Sequence, residues 1–162
     1  MANVNSDLIK LNGEAMITKE FILENEKEID FGLLPVLADL SEEIIDAFAD
    51  KLDWISVSIF QKMSCEFMAK HYDKIDWLMI SGTQKLSEKF MDAFADKLDW
   101  QQMSQTQEIT PYLMKKYGIK LNWVAILKRY PNLPKEILEE NKLWIKISYD
   151  TDERMKKKQK KG

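Results

Sequence analysis

The chain has 162 residues, of which 45% are hydrophobic, with a formal net charge of −3, one cysteine and one histidine. This length supplies enough apolar material for the core of one domain. The counts exclude an internal disulfide and a metal site built on several histidine or cysteine ligands, and no apolar run approaches the roughly 20 residues that span a bilayer. We therefore expect an intracellular, cytoplasmic protein with no cofactor, no metal and no membrane segment.

Residues 1–30 are predicted to form a degenerate capping unit at the N-terminus. Ile17, Phe21 and Ile22 carry a helical apolar pattern, and Thr18 is placed to cap that helix. Asn12-Gly13 favours a different structure, a tight hairpin between alternating residues. A helical cap and a cap that contains a hairpin both stay open for this segment.

Tandem repeats are predicted over residues 31–122. The nine-residue string DAFADKLDW occurs identically at 46–54 and 92–100. The two copies are 46 residues apart, which is twice the 23-residue spacing of Trp54, Trp77, Trp100 and Trp123. A fixed period of 20 to 50 residues is the signature of a repeat architecture. We number each 23-residue repeat from its first aromatic residue as position 1, and these residues are Phe31, Trp54, Trp77, Trp100 and, opening the next segment, Trp123.

Each repeat is predicted to contain two short helices. Position 23 is suited to cap the first helix, and apolar residues at positions 14, 15, 18 and 22 form one buried stripe in the second. Helices this short need neighbours to be stable, so we predict an all-α fold, an α-solenoid of stacked helix-turn-helix repeats with degenerate caps. The hydroxyl residues at position 11, which predict the N-cap of the second helix, are Ser41, Ser64, Ser87 and Thr110.

The C-terminal part departs from this pattern. Residues 123–150 are predicted to form a divergent repeat or cap, in which Leu133-Pro134 precedes a copy of the second helix and Trp144 arrives after 21 residues instead of 23. Residues 151–162 are rich in lysine and poor in apolar side chains, so we expect a disordered basic tail. Without that tail, the first 150 residues have a net charge near −7.

Few residues suggest chemistry. His71 stands at position 18, where other repeats have an aromatic residue, so we expect a substituted core position more than a catalytic group. Cys65 lies six residues earlier, and the two side chains should point to different sides of one helix. We therefore predict no catalytic residue. The glutamines at position 8 are expected to bond backbone carbonyls between repeats, and they are Gln61, Gln84 and Gln107.

The candidate partner-binding residues are aspartates that recur at positions 16 and 20. Stacking would align them in columns about 8 to 10 Å apart. A lysine follows each position-20 aspartate, which is typical of a charged surface that contacts only solvent. The functional alternative is an acidic stripe that binds a basic protein. The five residues are Asp46, Asp50, Asp73, Asp92 and Asp96.

The segment 84–100, QKLSEKFMDAFADKLDW, resembles a short repeat of uncharacterised proteins from large DNA viruses and bacteriophages. The resemblance covers residues 31–122 and brings no catalytic residues. It implies a non-enzymatic, protein-binding viral module, with inhibition of a host defence complex that handles nucleic acid as an expected role. The alternative is nucleic-acid binding by the basic tail, with the repeats as a scaffold. The tail residues for that alternative are Lys156, Lys157, Lys158, Lys160 and Lys161.

Overall fold

The computed structural model describes residues 17–160 of the chain, and this range is helical with no strand. The predicted all-α class is confirmed. A 3-10 helix also follows α9, at Gly118–Lys120. The α-helices are α1 Lys19–Glu24, α2 Leu34–Leu37, α3 Glu42–Ala47, α4 Trp54–Phe60, α5 Cys65–Lys70, α6 Trp77–Thr83, α7 Glu88–Ala93, α8 Trp100–Thr106, α9 Pro111–Tyr117, α10 Trp123–Arg129, α11 Lys135–Glu140 and α12 Lys142–Gln159.

Tertiary contacts divide the chain into an N-terminal half, residues 1–84, and a C-terminal half, residues 85–162. In the N-terminal half, α4 lies against α2 on one side and α6 on the other. In the C-terminal half, α10 lies between α8 and α12 in the same manner, and α11 packs on α9. Within each half, therefore, each first helix packs on the first helix of the next repeat, and α12 takes the place of a first helix at the C-terminal end.

The predicted caps are present at both helices of the repeat. Ser64 Oγ accepts a hydrogen bond from the Phe67 backbone N–H at 3.1 Å, which caps α5. Asp53 Oδ2 accepts from the Ser56 N–H at 2.9 Å, which caps α4. Such caps satisfy backbone donors that a short helix leaves unpaired. They explain why the helices α3 to α10 begin at fixed positions of the repeat, whereas α2, α11 and α12 have no side-chain cap.

The second helix is shorter than the apolar stripe predicted. α3 ends at Ala47, so Phe48 at position 18 and Leu52 at position 22 lie beyond it, although both are buried. The Leu52 N–H bonds the Phe48 carbonyl at 3.1 Å, so a turn with a helix-like bond brings position 22 back to the core. The apolar spacing is the same in this turn as in a continuous helix, which is why the sequence pattern did not reveal the break.

The tryptophans begin the first helices and tie each one to the preceding turn. The Trp100 indole N–H donates to the Ala95 carbonyl at 2.7 Å, and Trp123 donates to the Gly118 carbonyl at 2.8 Å. These two rings are buried, whereas Trp54 and Trp77 are half-buried. Trp100 and Trp123 therefore belong to the core of the C-terminal half, whereas the two tryptophans in the N-terminal half are only partly buried.

The position-8 glutamines connect neighbouring repeats, as predicted. Gln61 Nε2 donates to the carbonyls of Pro35 at 2.6 Å and Ala38 at 2.8 Å, and its Oε1 accepts from the Leu40 N–H at 2.7 Å. Gln84 forms the same set of bonds one repeat later. Each side chain thus pairs one backbone donor and two backbone acceptors of the preceding repeat.

In the divergent repeat, two residues perform the role of this glutamine. Tyr130 occupies position 8, and its hydroxyl accepts from the Ile109 N–H at 3.2 Å. The neighbouring Arg129 donates to the carbonyls of Ser104 at 3.0 Å and Gln107 at 2.6 Å. The backbone groups of the preceding repeat are therefore paired although the glutamine is absent.

The ends of the described range give one confirmation and one correction. Thr18 caps α1, and Ile17 and Ile22 are buried, as the cap pattern predicted. Asn12-Gly13 and the hairpin alternative lie outside the described residues. The prediction of disorder from residue 151 onwards is wrong up to Gln159, because α12 continues to that residue. Packing of its first part on α10 and the Lys156–Asp152 ion pair at 2.6 Å, one turn apart, favour this continuation.

No helix among the described residues is long and apolar enough to cross a membrane.

Candidate functional site

The position-16 aspartates contact the next repeat. Asp46 Oδ1 lies 2.6 Å from Lys70 Nζ and 2.9 Å from His71 Nε2. Its equivalent Asp92 lies 2.7 Å from Lys116 Nζ and accepts a hydrogen bond from the Tyr117 hydroxyl at 2.7 Å. Lys70 holds the pKa of Asp46 below its ordinary value, and Lys116, with Tyr117, does the same for the pKa of Asp92. Both carboxylates are thus charged links between repeats.

The position-20 aspartates pair with a lysine at position 21 of the next repeat. Asp50 lies 2.7 Å from Lys74 Nζ, and Asp96 lies 2.6 Å from Lys120 Nζ. Each lysine lowers the pKa of its aspartate. The side chains of the two aspartates are 92% and 97% exposed, so these pairs contribute little to stability.

Asp73 occupies the same column and is exposed. Its charge contributes to raising the pKa of Lys74, after the larger effect of the Asp50 hydrogen bond. The predicted acidic stripe is therefore not uniformly negative, because four of its five aspartates are each paired with a lysine. The four paired aspartates have a structural role that accounts for their recurrence without a partner.

His71 occupies a core aromatic position, as predicted. Its ring centroid lies 4.9 Å from that of Trp54 and 4.6 Å from that of Phe67, and the residue is 7% exposed. It ends α5 as the C-cap, whereas Cys65 begins the same helix. The aromatic neighbours belong to the same repeat as His71, whereas Asp46 belongs to the preceding one, so His71 packs within its own repeat and contacts its neighbour through the aspartate.

The basic residues of the tail are on the last turns of α12. Lys156 is paired with Asp152, and Lys157, Lys158 and Lys160 are exposed. Lys161 lies outside the described residues. The C-terminal half that carries this helix is itself basic, with 16 lysine and arginine residues against 11 acidic residues over 85–160.

An exposed apolar face on the first helices was not predicted from the sequence. Positions 2 and 6 are one helical turn apart and lie on the same side of the helix. In the N-terminal half, Ile55 is 54% exposed, Leu78 is 49% exposed and Val36 is 42% exposed, and Ile59 at position 6 is half-buried. Because α2, α4 and α6 are packed in sequence, these side chains lie on three neighbouring helices. We call these four residues the apolar face.

The same positions line a groove in the C-terminal half. The groove lies between α8, α10 and α12 and has a volume of about 460 Å³. Gln101 and Gln105 replace the apolar residues on α8, and Lys128 occupies position 6 of α10. The apolar lining includes Ile119, Val124, Trp144, Ile147 and Met155.

Gly118 permits α12 to form this groove. A Cβ atom at Gly118 would collide with the side chain of Asn141 and would approach Trp144 Cδ1 to 3.4 Å. Asn141 is itself buried, and its Nδ2 donates to the Ile137 carbonyl at 3.0 Å. Other repeats have Ala49, Tyr72 or Ala95 at this position, so the glycine is specific to the repeat on which α12 packs.

Among residues 17–160, no group of three or more histidine, cysteine, aspartate or glutamate side chains is arranged to hold a metal ion. No protein-family model matches the chain, and no significant similarity was found to curated proteins or to solved structures.

Proposed function

We propose that this chain is a non-enzymatic protein-binding module whose repeats stack as an α-solenoid. The observation that carries the proposal is that some positions of the repeat bond neighbouring repeats, whereas others are exposed and variable. Positions 8, 11, 16 and 23 bond neighbouring backbone or side chains. Position 2 of the first helix, in contrast, is exposed in α4, α6 and α8 and varies from Ile55 and Leu78 to Gln101. Repeat proteins in which the residues that join the repeats are constant and the exposed residues vary are suited to bind an extended surface of a partner.

The apolar face is the binding surface we assign to this module. Scattered exposed apolar side chains need no explanation, but a group of them on three neighbouring helices is typical of an interaction site. It lies in the acidic half, since residues 17–84 contain 14 acidic residues against 6 lysines. The partner that fits is a cytoplasmic protein with an apolar patch surrounded by lysine or arginine.

The viral resemblance adds a biological expectation to this proposal. A protein that binds nucleic acid presents a basic surface, which an acidic module with an apolar centre complements. We therefore extend the proposal to a phage-type inhibitor of a host defence complex. Asp46 and Asp50 lie in the acidic half but are paired with lysines, so the contact itself is assigned to the apolar face.

The test is a pull-down from a nuclease-treated bacterial or host lysate with three forms of the tagged chain. These are the wild type, the double variant Ile55→Asp/Leu78→Asp, and Leu143→Asp as a matched exposed leucine in the other half. We expect one stoichiometric protein with the wild type and with Leu143→Asp, weakened by salt, and its loss with the double variant. Equal recovery with the double variant, or recovery of no protein by the wild type, would contradict the proposal.

A second candidate function is nucleic-acid binding through the end of α12. The observation that favours it is the basic balance of the half that carries the helix, because this reduces the repulsion expected from a tail on an acidic body. Deletion of residues 154–162 separates the two candidates. A nucleic-acid binder would lose affinity for a labelled oligonucleotide, whereas a protein binder would keep its protein partner.

A further inference from the structure

The groove in the C-terminal half combines an apolar lining with an uncompensated positive charge. Ile119 is 64% exposed, Met155 54% and Ile147 47%, so three large apolar side chains at this groove face solvent. Lys128 at the rim forms no ion pair with another residue of the range 17–160, whereas the groove's acid, Asp152, is paired with Lys156. A ligand that fits this chemistry offers an apolar side chain next to a carboxylate.

The N-terminal half carries such a group on α1. Leu23 is 51% exposed, and Glu20 and Glu24 are exposed on the same side of the helix, one turn apart from each other. Neither glutamate forms an ion pair with another described residue. This Leu23 turn, defined as Glu20, Leu23 and Glu24, is therefore an apolar tip between two carboxylates.

We propose that the groove binds the Leu23 turn of a second copy of this chain. Leu23 then enters between Ile119, Ile147 and Met155, and the glutamates face Lys128. The opposite charge balances of the two halves, acidic over 17–84 and basic over 85–160, orient the copies head to tail. This is a helix-in-groove contact, with different surfaces on the two partners.

The expected strength follows from the size of the contact. One helical turn in a groove of about 460 Å³ buries far less than the roughly 1,200 Å² of a stable interface. We therefore expect weak, concentration-dependent self-association that is detected only at high protein concentration. Part of the attraction is between charges at the rim, so added salt weakens it.

The experiment is analytical ultracentrifugation of the full chain from about 10 μM to about 1 mM, at low and high salt, a range that spans the weak contact expected here. We expect Leu23→Asp and Lys128→Glu each to weaken association about tenfold, the equivalent of about 1.4 kcal/mol. Combining Lys128→Glu with Glu20→Lys and Glu24→Lys should restore it, because the charges are exchanged. Circular dichroism confirms that each variant is folded.

Leu143→Asp is the matched control, since Leu143 is 59% exposed on α12 but does not line the groove. Association unaffected by Leu143→Asp and restored by the charge exchange supports the proposal. A chain that is monomeric at every concentration overturns it, as does a loss with Leu143→Asp equal to the loss with Leu23→Asp. Because Leu23 and Lys128 are outside the apolar face, this outcome is independent of the lysate test for the proposed function.

Discussion

Replacing Gln61 with methionine tests the bonds that join one repeat to the next. The side chain is 3% exposed and keeps nearly its volume in the variant, so the change removes hydrogen bonds more than packing. The Leu40 N–H and the carbonyls of Pro35 and Ala38 would lose this partner. At about 1 to 2 kcal/mol for each of these three buried groups left unpaired, the loss is about 3 to 6 kcal/mol.

Urea denaturation followed by circular dichroism measures this loss, and Gln105→Met is the matched control. Gln105 is exposed, and its amide bonds the carbonyl of Gln101 within the same helix. We expect the control to change the free energy of unfolding by less than about 0.5 kcal/mol, as is usual for surface positions. A loss below about 1 kcal/mol for Gln61→Met would refute the reasoning, because the glutamine would then not be needed to pair these backbone groups.

Three further predictions follow from individual contacts. His71→Phe should change the free energy of unfolding by less than about 1 kcal/mol, since the ring contacts remain, whereas His71→Ala should cost about 3 kcal/mol in a urea titration. Gly118→Ala should destabilise the chain by about 1 to 3 kcal/mol, because the new Cβ displaces Asn141. The variant Asp46→Asn/Asp92→Asn should lower the urea midpoint at pH 7 and flatten its fall in acid.

The sign of the acid effect follows from the pKa values of these two aspartates. Each is lower in the folded chain than the ordinary value of about 3.9, so each contributes stability above that pH and loses it as the pH falls through the folded pKa. The wild type and the variant should therefore converge as the pH falls below the folded pKa values of these two aspartates. Glu43→Gln is the control, because Glu43 is exposed and forms no ion pair within the described range.

Other outcomes would contradict these expectations. Equal losses for His71→Phe and His71→Ala would show that the Asp46 contact, and not ring packing, determines the role of His71. An unchanged midpoint for Gly118→Ala would mean that α12 can shift without cost. A constant difference between the wild type and Asp46→Asn/Asp92→Asn at every pH would show that the two charges do not stabilise the fold.

The helices could be predicted because the repeat presents each determinant several times. Positions 11 and 23, occupied by Ser64 and Asp53 in two of the copies, have side chains that cap helices in successive repeats. Position 8, occupied by Gln61, is a glutamine in three repeats although the residues around it are mostly apolar. The end of α3 could not be predicted, since the turn from Phe48 to Leu52 preserves the apolar spacing of a helix. The continuation of α12 was missed because composition alone does not show that its first turns are packed on α10.

The ion pairs could have been predicted from the sequence. Asp50 at position 20 and Lys74 at position 21 of the next repeat are 24 residues apart, and Asp46 and Lys70 have the same separation. An aspartate and a lysine with this separation fall on neighbouring repeats, so the pairs are visible when the charges of one repeat are compared with those of the next. The apolar face gave a weaker signal, because the residue at position 2 changes from Ile55 to Gln101 and shows no pattern until the side that faces solvent is known.

The most direct test of the central claim is hydrogen–deuterium exchange of the chain with the protein it captures, compared with the free chain. If the apolar face is the binding surface, binding slows exchange in α4 and α6, Trp54–Phe60 and Trp77–Thr83, which carry Ile55 and Leu78. Protection confined to the second helices, or to the end of α12, would contradict the claim that the outer positions of the first helices are the binding surface.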